Sequence, residues 1–134
     1  MKKLYLNDLI KKFAISGATI RYYHEQGLMP FLKRDSNGYR YLNEVDLSWV
    51  EVIVCLKKTG MSLKDIKKYL DLCTKGQSTV SERHLMIIQQ QEIVQAKIAE
   101  LQNELDFLKY KEEYYQKLVN KEIGIKDHPY SYSN

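Results

Sequence analysis

Residues 15–42 read ISGATIRYYHEQGLMPFLKRDSNGYRYL, and the fold turns on how this stretch divides. Ser16 can cap a helix by accepting an orphan backbone N–H, and Gly27 can stop one by taking positive φ. The spacing predicts a helix between them, running to about Gln26. Pro30 biases Met29 away from helix, so Leu28-Met29-Pro30 leaves extended. Asn37-Gly38 is a strong hairpin-turn pair because both residues tolerate positive φ. Lys33, Arg34 and Arg40 give that hairpin cationic arms. Upstream, Leu6, Leu9, Ile10 and Phe13 fall at i, i+3, i+4 and i+7, one apolar face of a first short helix over 7–13. Two short helices joined this tightly make a helix-turn-helix. With a basic hairpin behind them they have the layout of a winged helix-turn-helix, which grips duplex DNA.

The pattern continues outward. Asn43, with Asp46 three residues on, predicts a partial capping box opening a third helix through Trp49, Val50, Ile53, Val54 and Leu56 to Gly60. Ser62 with Asp65 caps a fourth, whose apolar face is Leu63, Ile66, Tyr69, Leu70 and Cys73. Residues 74–78 read as a linker. Thr79 with Glu82 opens the longest element, and no Gly or Pro interrupts it before Val119. Ile87, Val94, Leu101, Leu108 and Tyr115 recur every seven residues. A companion column holds His84, Gln91, Ile98, Leu105 and Glu112. Alternating steps of four and three are those of a coiled-coil seam. At 1.5 Å per residue the helix would be on the order of 60 Å long. That is more than so small a domain can cover, so self-association is expected. An intramolecular hairpin is the alternative, and the chain offers no break for one. The expected architecture is mainly α: a winged helix-turn-helix over 1–76, a dimerising coiled-coil helix over 79–119, and a tail over 120–134 broken by Gly124 and Pro129.

Composition agrees. Of 134 residues, 44% are hydrophobic and 28% charged, enough for a core and unlike a disordered chain. No apolar run approaches the ~18 residues of a membrane span. The first thirteen residues break their apolar run with Asn7, Asp8, Lys11 and Lys12, unlike a signal peptide. The bacterial cytoplasm, at the nucleoid, is the expected location, with no membrane partner. The net charge of +4 is unevenly spread: residues 1–76 hold 14 Lys/Arg against 8 Asp/Glu, and residues 77–134 hold 7 against 9. The charge a polyanion needs therefore lies in the first half. Cys55 and Cys73 read as thiols rather than a disulfide. No nucleophile–base constellation, phosphate loop or metal spacing appears, so an enzyme, a metal and a cofactor are not expected.

On the second helix the expected DNA contacts are Ser16, Thr19, Arg21, Tyr22 and Tyr23, with Ile20 as core anchor. Successive helical residues point about 100° apart. Tyr22 and Tyr23 therefore differ in role, with at least one ring packed and both hydroxyls near phosphates. In the hairpin, Arg34 and Arg40 are the prime contacts, assisted by Asn37 and Tyr39. Lys57, beside Lys58 and before Gly60, adds a second basic turn. A solvated loop is the alternative for the hairpin taken alone, and its co-occurrence with the helix weighs against that.

Residues 4–73 resemble the DNA-binding domain of the MerR family of transcription regulators. The resemblance rests on IRYYHEQGLMP, on the R-x-x-x-G-Y-R wing of Arg34, Gly38, Tyr39 and Arg40, and on Leu56-Lys57-x-x-Gly60-x-Ser62-Leu63-x-x-Ile66. It implies an antiparallel coiled-coil homodimer that binds a palindromic operator in a promoter. That dimer bends and untwists the DNA so that RNA polymerase can use a long spacer. No cysteine follows Cys73, where metal-sensing members carry theirs. The segment Trp49-Val50-Glu51-x-Ile53-x-Cys55-Leu56 resembles the AdhR- and NmlR-like branch, which responds to aldehydes and other electrophiles. The resemblance makes Cys55 a candidate thiol sensor, with Lys57 and Lys58 favouring thiolate. The alternative is a small core residue. A nucleoid-type DNA binder or coiled-coil scaffold without an effector is the competing reading of the whole chain.

Overall fold

The computed structural model describes residues 2–125. The elements are β1 (Lys3–Tyr5), α1 (Leu6–Phe13), α2 (Gly17–Glu25), β2 (Lys33–Arg34), β3 (Arg40–Asn43), α3 (Leu47–Lys58), α4 (Leu63–Thr74) and α5 (Val80–Val119). The chain divides into two compact units between Gln90 and Gln91.

In the first unit the helix-turn-helix forms as its sequence predicts. Asp8 accepts from the Tyr5 amide at 2.9 Å at the start of α1. Ala14 turns the chain in the left-handed region at φ 53°. Ser16 Oγ then accepts from the Thr19 amide at 3.1 Å and caps α2. Gly27 ends α2 at φ 80°. A side chain there would be strained, and its Cβ would lie 3.3 Å from Lys67 Nζ. Leu9, Ile20, Leu28, Met29, Leu42, Val50, Ile53 and Ile66 are fully buried in one core fed by α1, α2, β3, α3, α4 and the α2–β2 connection. Each such side chain stabilises the fold by roughly 1.5–3 kcal/mol before entropy is counted.

The sheet has one strand more than the hairpin reading supplies. β3 is central in the antiparallel order β1-β3-β2, with Leu4 opposite Leu42 and Arg34 opposite Arg40. The turn also differs from a two-residue Asn-Gly turn. Asn37 keeps negative φ, and Gly38 alone crosses over at 82°. Gly38 N donates to the Asp35 carbonyl at 3.0 Å and Asp35 N to the Tyr39 carbonyl at 2.9 Å, which leaves Ser36-Asn37-Gly38 as a three-residue loop.

Two helix starts are corrected. Asn43 makes no capping bond, because β3 claims it opposite Lys3. A 3-10 turn over Glu44–Asp46 intervenes, and α3 begins at Leu47. Thr79 does not open a capping box with Glu82 either. It is 5% exposed and ends a 3-10 turn, Gly76–Thr79, where a slack linker is expected. Its hydroxyl donates back to the Leu72 carbonyl at 2.6 Å and accepts from Arg83 Nε at 3.0 Å. Arg83 Nη2 also donates to the Gly76 carbonyl at 2.8 Å, so the joint before α5 is held by buried polar bonds. Ser62, by contrast, caps α4 as expected, accepting from the Asp65 amide at 3.1 Å. Gln90 Nε2 reaches the Thr59 carbonyl and hydroxyl, each at 3.1 Å. The first turns of α5 therefore belong to the first unit, beyond the expected limit at residue 76.

In the second unit α5 runs unbroken to Val119, and no residue of that helix is buried. Ile98, Leu101, Leu105, Leu108 and Tyr115 of the predicted seam are all exposed, whereas Ile87 and Val94 are half-buried. Lys121, in the left-handed region, stops the helix ahead of Gly124. Pro129 lies outside the described residues.

Candidate nucleic-acid interface

α2 divides its residues as amphipathic spacing requires. Ile20 is fully buried and Tyr23 8% exposed, while Tyr22 is 48% exposed. The two tyrosine rings tilt against each other at 6.3 Å between centroids. The ring expected to pack is therefore that of Tyr23, and burial raises its phenol above the ordinary tyrosine value. Arg21 and Ser16 are exposed and Thr19 half-buried. The Ser16 and Thr19 hydroxyls share a hydrogen bond of 2.8 Å, which leaves one O–H of the pair to donate elsewhere.

The wing reaches its shape through Asp35, a residue the sequence reading did not single out. Its carboxylate accepts from the Asn37 amide at 2.9 Å, the Tyr39 amide at 3.0 Å and the Tyr5 hydroxyl at 3.1 Å. Desolvation pushes this carboxyl up, but the Tyr39 and Asn37 amides, the Tyr5 hydroxyl and the Lys3 charge outweigh it and hold it below its ordinary value. Asp35 thus fixes the loop that carries Asn37 and Tyr39, both exposed, and ties it to β1.

Arg34 and Arg40 face each other across β2 and β3. Like charges directly opposed across strands are unfavourable. Arg40 turns toward α2, where its Nε donates to His24 Nδ1 at 3.2 Å. Burial, then the Arg40 and Arg34 charges, lower the His24 pKa against a smaller opposing effect of Glu25. His24 Nδ1 thus serves as the acceptor for Arg40, and its lowered pKa favours that role. Arg21 from α2 and Tyr39 and Arg40 from the wing line one recess of about 240 Å³ with Tyr5, Leu6, Asn7 and Ile10. Its cations and hydroxyl-bearing rim suit an anion such as a phosphate. Tyr5, Asn7 and His24 lie outside the expected set, and only the meeting of β1, α1 and α2 with the wing brings them in.

Lys57 does not join this recess. It lines a separate hollow of about 200 Å³ with Ile15, Tyr23, Val54 and Lys58. Cys55 is exposed, which rules out the core alternative. It opens into a shallow depression lined by Lys12, Phe13, Ala14, Glu51, Val52, Val54 and Lys58. Lys12 arrives from α1, a neighbour no local sequence window shows. Cys73 is half-buried, with Arg83 Nη1 at 4.0 Å from its sulfur. Among the described residues no His, Cys, Asp and Glu side chains gather in threes as a metal site would need. No described helix is long and apolar enough to cross a membrane.

Comparison with known proteins shows the family and the fold. The model of the MerR HTH family regulatory proteins matches residues 5–73, and that described as MerR, DNA binding matches residues 47–109. An uncharacterized HTH-type transcriptional regulator of Haemophilus influenzae is 43% identical over 107 residues, 80% of this chain and 79% of that protein. The HTH-type transcriptional regulator AdhR of Bacillus subtilis is 38% identical over 76 residues, 57% of this chain and 54% of that protein. Among solved structures, HiNmlR, a MerR family regulator lacking the sensor domain and bound to promoter DNA, is 39% identical. It superposes with a TM-score of 0.76 over 89% of this chain and 94% of its own. A MerR family regulator from Bacillus thuringiensis is 34% identical, with a TM-score of 0.75 over 85% of this chain and 100% of its own.

Proposed function

The chain belongs to the MerR family of helix-turn-helix regulatory proteins and is a DNA-binding transcription regulator, and on that premise we propose that it acts as a homodimer on a palindromic promoter operator. The observation that carries this reading is the recess uniting Arg21 of α2 with Tyr39 and Arg40 of the wing. In the proposed complex α2 enters the major groove, led by Ser16, Thr19, Arg21 and Tyr22. Arg34, Asn37, Tyr39 and Arg40 hold the adjoining backbone. Lys57 and the Tyr23 hydroxyl, sharing their own hollow, take a further phosphate. Residues 1–76 form the DNA-binding domain, 79–119 the dimerisation helix and 120–134 the tail. The exposed seam of Ile98, Leu101, Leu105 and Leu108 supports pairing of two copies of α5, antiparallel, with Ile87, Val94 and Tyr115 continuing it. Such a dimer deforms the spacer between promoter elements and so controls RNA polymerase, a readout through DNA shape.

The signal is proposed to enter at Cys55. Its exposure, in a depression it shares with Lys12 and Lys58, supports access of an electrophile to the sulfur. The Cys55 sulfur would add to an aldehyde carbonyl carbon while the thiol proton passes to the carbonyl oxygen, giving a hemithioacetal with nothing left over. Footprinting on the promoters flanking the gene tests the DNA reading. A protected palindrome is expected, whereas uniform coating with strong salt dependence would favour the architectural binder. Cys55→Ser in a promoter–reporter strain tests the sensor: formaldehyde or methylglyoxal should no longer change output, and an unchanged response would remove it.

A further inference from the structure

We infer that His24 is a positioning residue for DNA binding: as a hydrogen-bond acceptor on the recognition helix it aims Arg40 of the wing at the phosphate backbone. The inference rests on the reading of Arg40 as a phosphate contact. Its geometry is the 3.2 Å bond from Arg40 Nε to His24 Nδ1, which joins β3 to α2 across sixteen residues of sequence. An arginine held through Nε keeps both terminal nitrogens for a second partner, and its fork then has one plane rather than many. In this chain Arg40 lines the recess with Arg21 and Tyr39, where a phosphate would be received. Freed from His24, the side chain would sit opposite Arg34, whose like charge pushes it away. The groups acting on His24 are Arg40 and Arg34 from the wing and Glu25 from its own helix. His24 also couples the two DNA-contacting elements, so that wing and helix would engage the duplex as one body.

The test uses the full-length protein and a duplex selected from a random library by the wild-type protein. Affinity is measured across a salt series for His24→Ala, His24→Gln, Arg40→Ala and the double variant His24→Ala/Arg40→Ala. His24→Ala should weaken binding on the order of tenfold, the scale of one charge-assisted hydrogen bond. It should also flatten the salt slope by about one unit per domain, as loss of a phosphate contact does. His24→Gln, which keeps an acceptor, should bind as the wild type does. In the Arg40→Ala background, His24→Ala should cost nothing further. A cost that persists there, or a Gln variant as weak as the Ala variant, would overturn the positioning role. If Arg40→Ala weakens binding and His24→Ala does not, the inference alone falls. If Arg40→Ala binds as the wild type does, the wing reading falls first and takes the inference with it.

Discussion

Leu101→Asp should separate the proposed dimer. Leu101 lies midway between Ile87 and Tyr115 in the heptad column, so an antiparallel pairing centred on the seam places it beside its own copy. In the single chain it is 63% exposed, with Ile98 at 61%, Leu105 at 44% and Leu108 at 61%. Apolar surface so exposed along one stripe needs a partner. Covering one leucine contributes roughly 1.5–3 kcal/mol, so losing it from both copies removes roughly 3–6 kcal/mol. The dimer dissociation constant should rise by about two to four orders of magnitude, and two facing carboxylates add to this at neutral pH. Sedimentation equilibrium over a concentration series measures it directly. Asn103→Asp, which adds the same charge on the opposite side of the heptad, is the control and should dimerise normally. A dissociation constant for Leu101→Asp within a few-fold of wild type, or equal loss in Asn103→Asp, would refute the seam. DNA affinity should fall with the dimer, because the second domain then binds without the effective concentration its partner supplies.

Other substitutions probe the fold that carries the site. Ser62→Ala removes the α4 cap, which accepts from Asp65 at 3.1 Å, and should cost about 1 kcal/mol in urea unfolding. Thr79→Val keeps the shape of a buried residue but removes the hydroxyl that donates to the Leu72 carbonyl and accepts from Arg83 Nε. It should cost about 1–3 kcal/mol, with Thr79→Ser restoring most of it. Stability without DNA should depend on pH in two windows. His24 is held below its ordinary value near 6.5, so the unfolded chain takes up that proton first. The contribution of His24 is whole above that value and declines as pH falls through the native pKa. A thermal melt should therefore drop as pH falls below about 6.5 toward the lowered native pKa, and His24→Gln should shrink the drop. Asp35, held below 3.8, acts lower on the scale: its contribution is whole above 3.8 and is lost as pH falls through its native pKa.

The helix-turn-helix was legible because its signals are local. Ser16, Gly27 and Ser62 do in the structure what their chemistry announces within four residues of sequence. Tyr22 and Tyr23 separated into surface and core because the helical repeat alone dictates it. What escaped was decided at a distance. β1 is three residues long and acquires meaning only from residues 41–43 opposite it. That pairing also took Asn43 out of a helix cap and into a strand. Thr79 looked like a cap from its own neighbourhood, but the Leu72 carbonyl, seven residues back, claimed its hydroxyl. In the site, Arg21, Tyr39 and Arg40 were anticipated and do meet in one recess, whereas Lys57 sits in another. His24 was passed over because its partner is distant in sequence, whereas Asp35 makes a local Asx-type turn that the sequence could have shown. One gains its importance from Arg40 and the other from amides two and four residues ahead.

β3 bears on which inherited changes this domain can tolerate. Arg40 and Leu42 share one face of that strand, and Tyr41 turns to the other, where its ring lies 4.7 Å from Lys3 Nζ and 5.8 Å from Tyr5. Leu42 is fully buried, so the core reads the strand's phase two residues from the arginine. Deleting Leu42 would turn Tyr41 inward and swing the arginine off the α2 side in the same stroke. Insertions among Ser36, Asn37 and Gly38 leave that phase alone, and lengthening so short a loop costs little closure entropy. Length variation among descendants of this sequence should accordingly collect at the wing tip and be purged from the strand behind it. On the proposed reading, a lineage can then alter how far the wing extends along DNA without altering how its arginine is aimed.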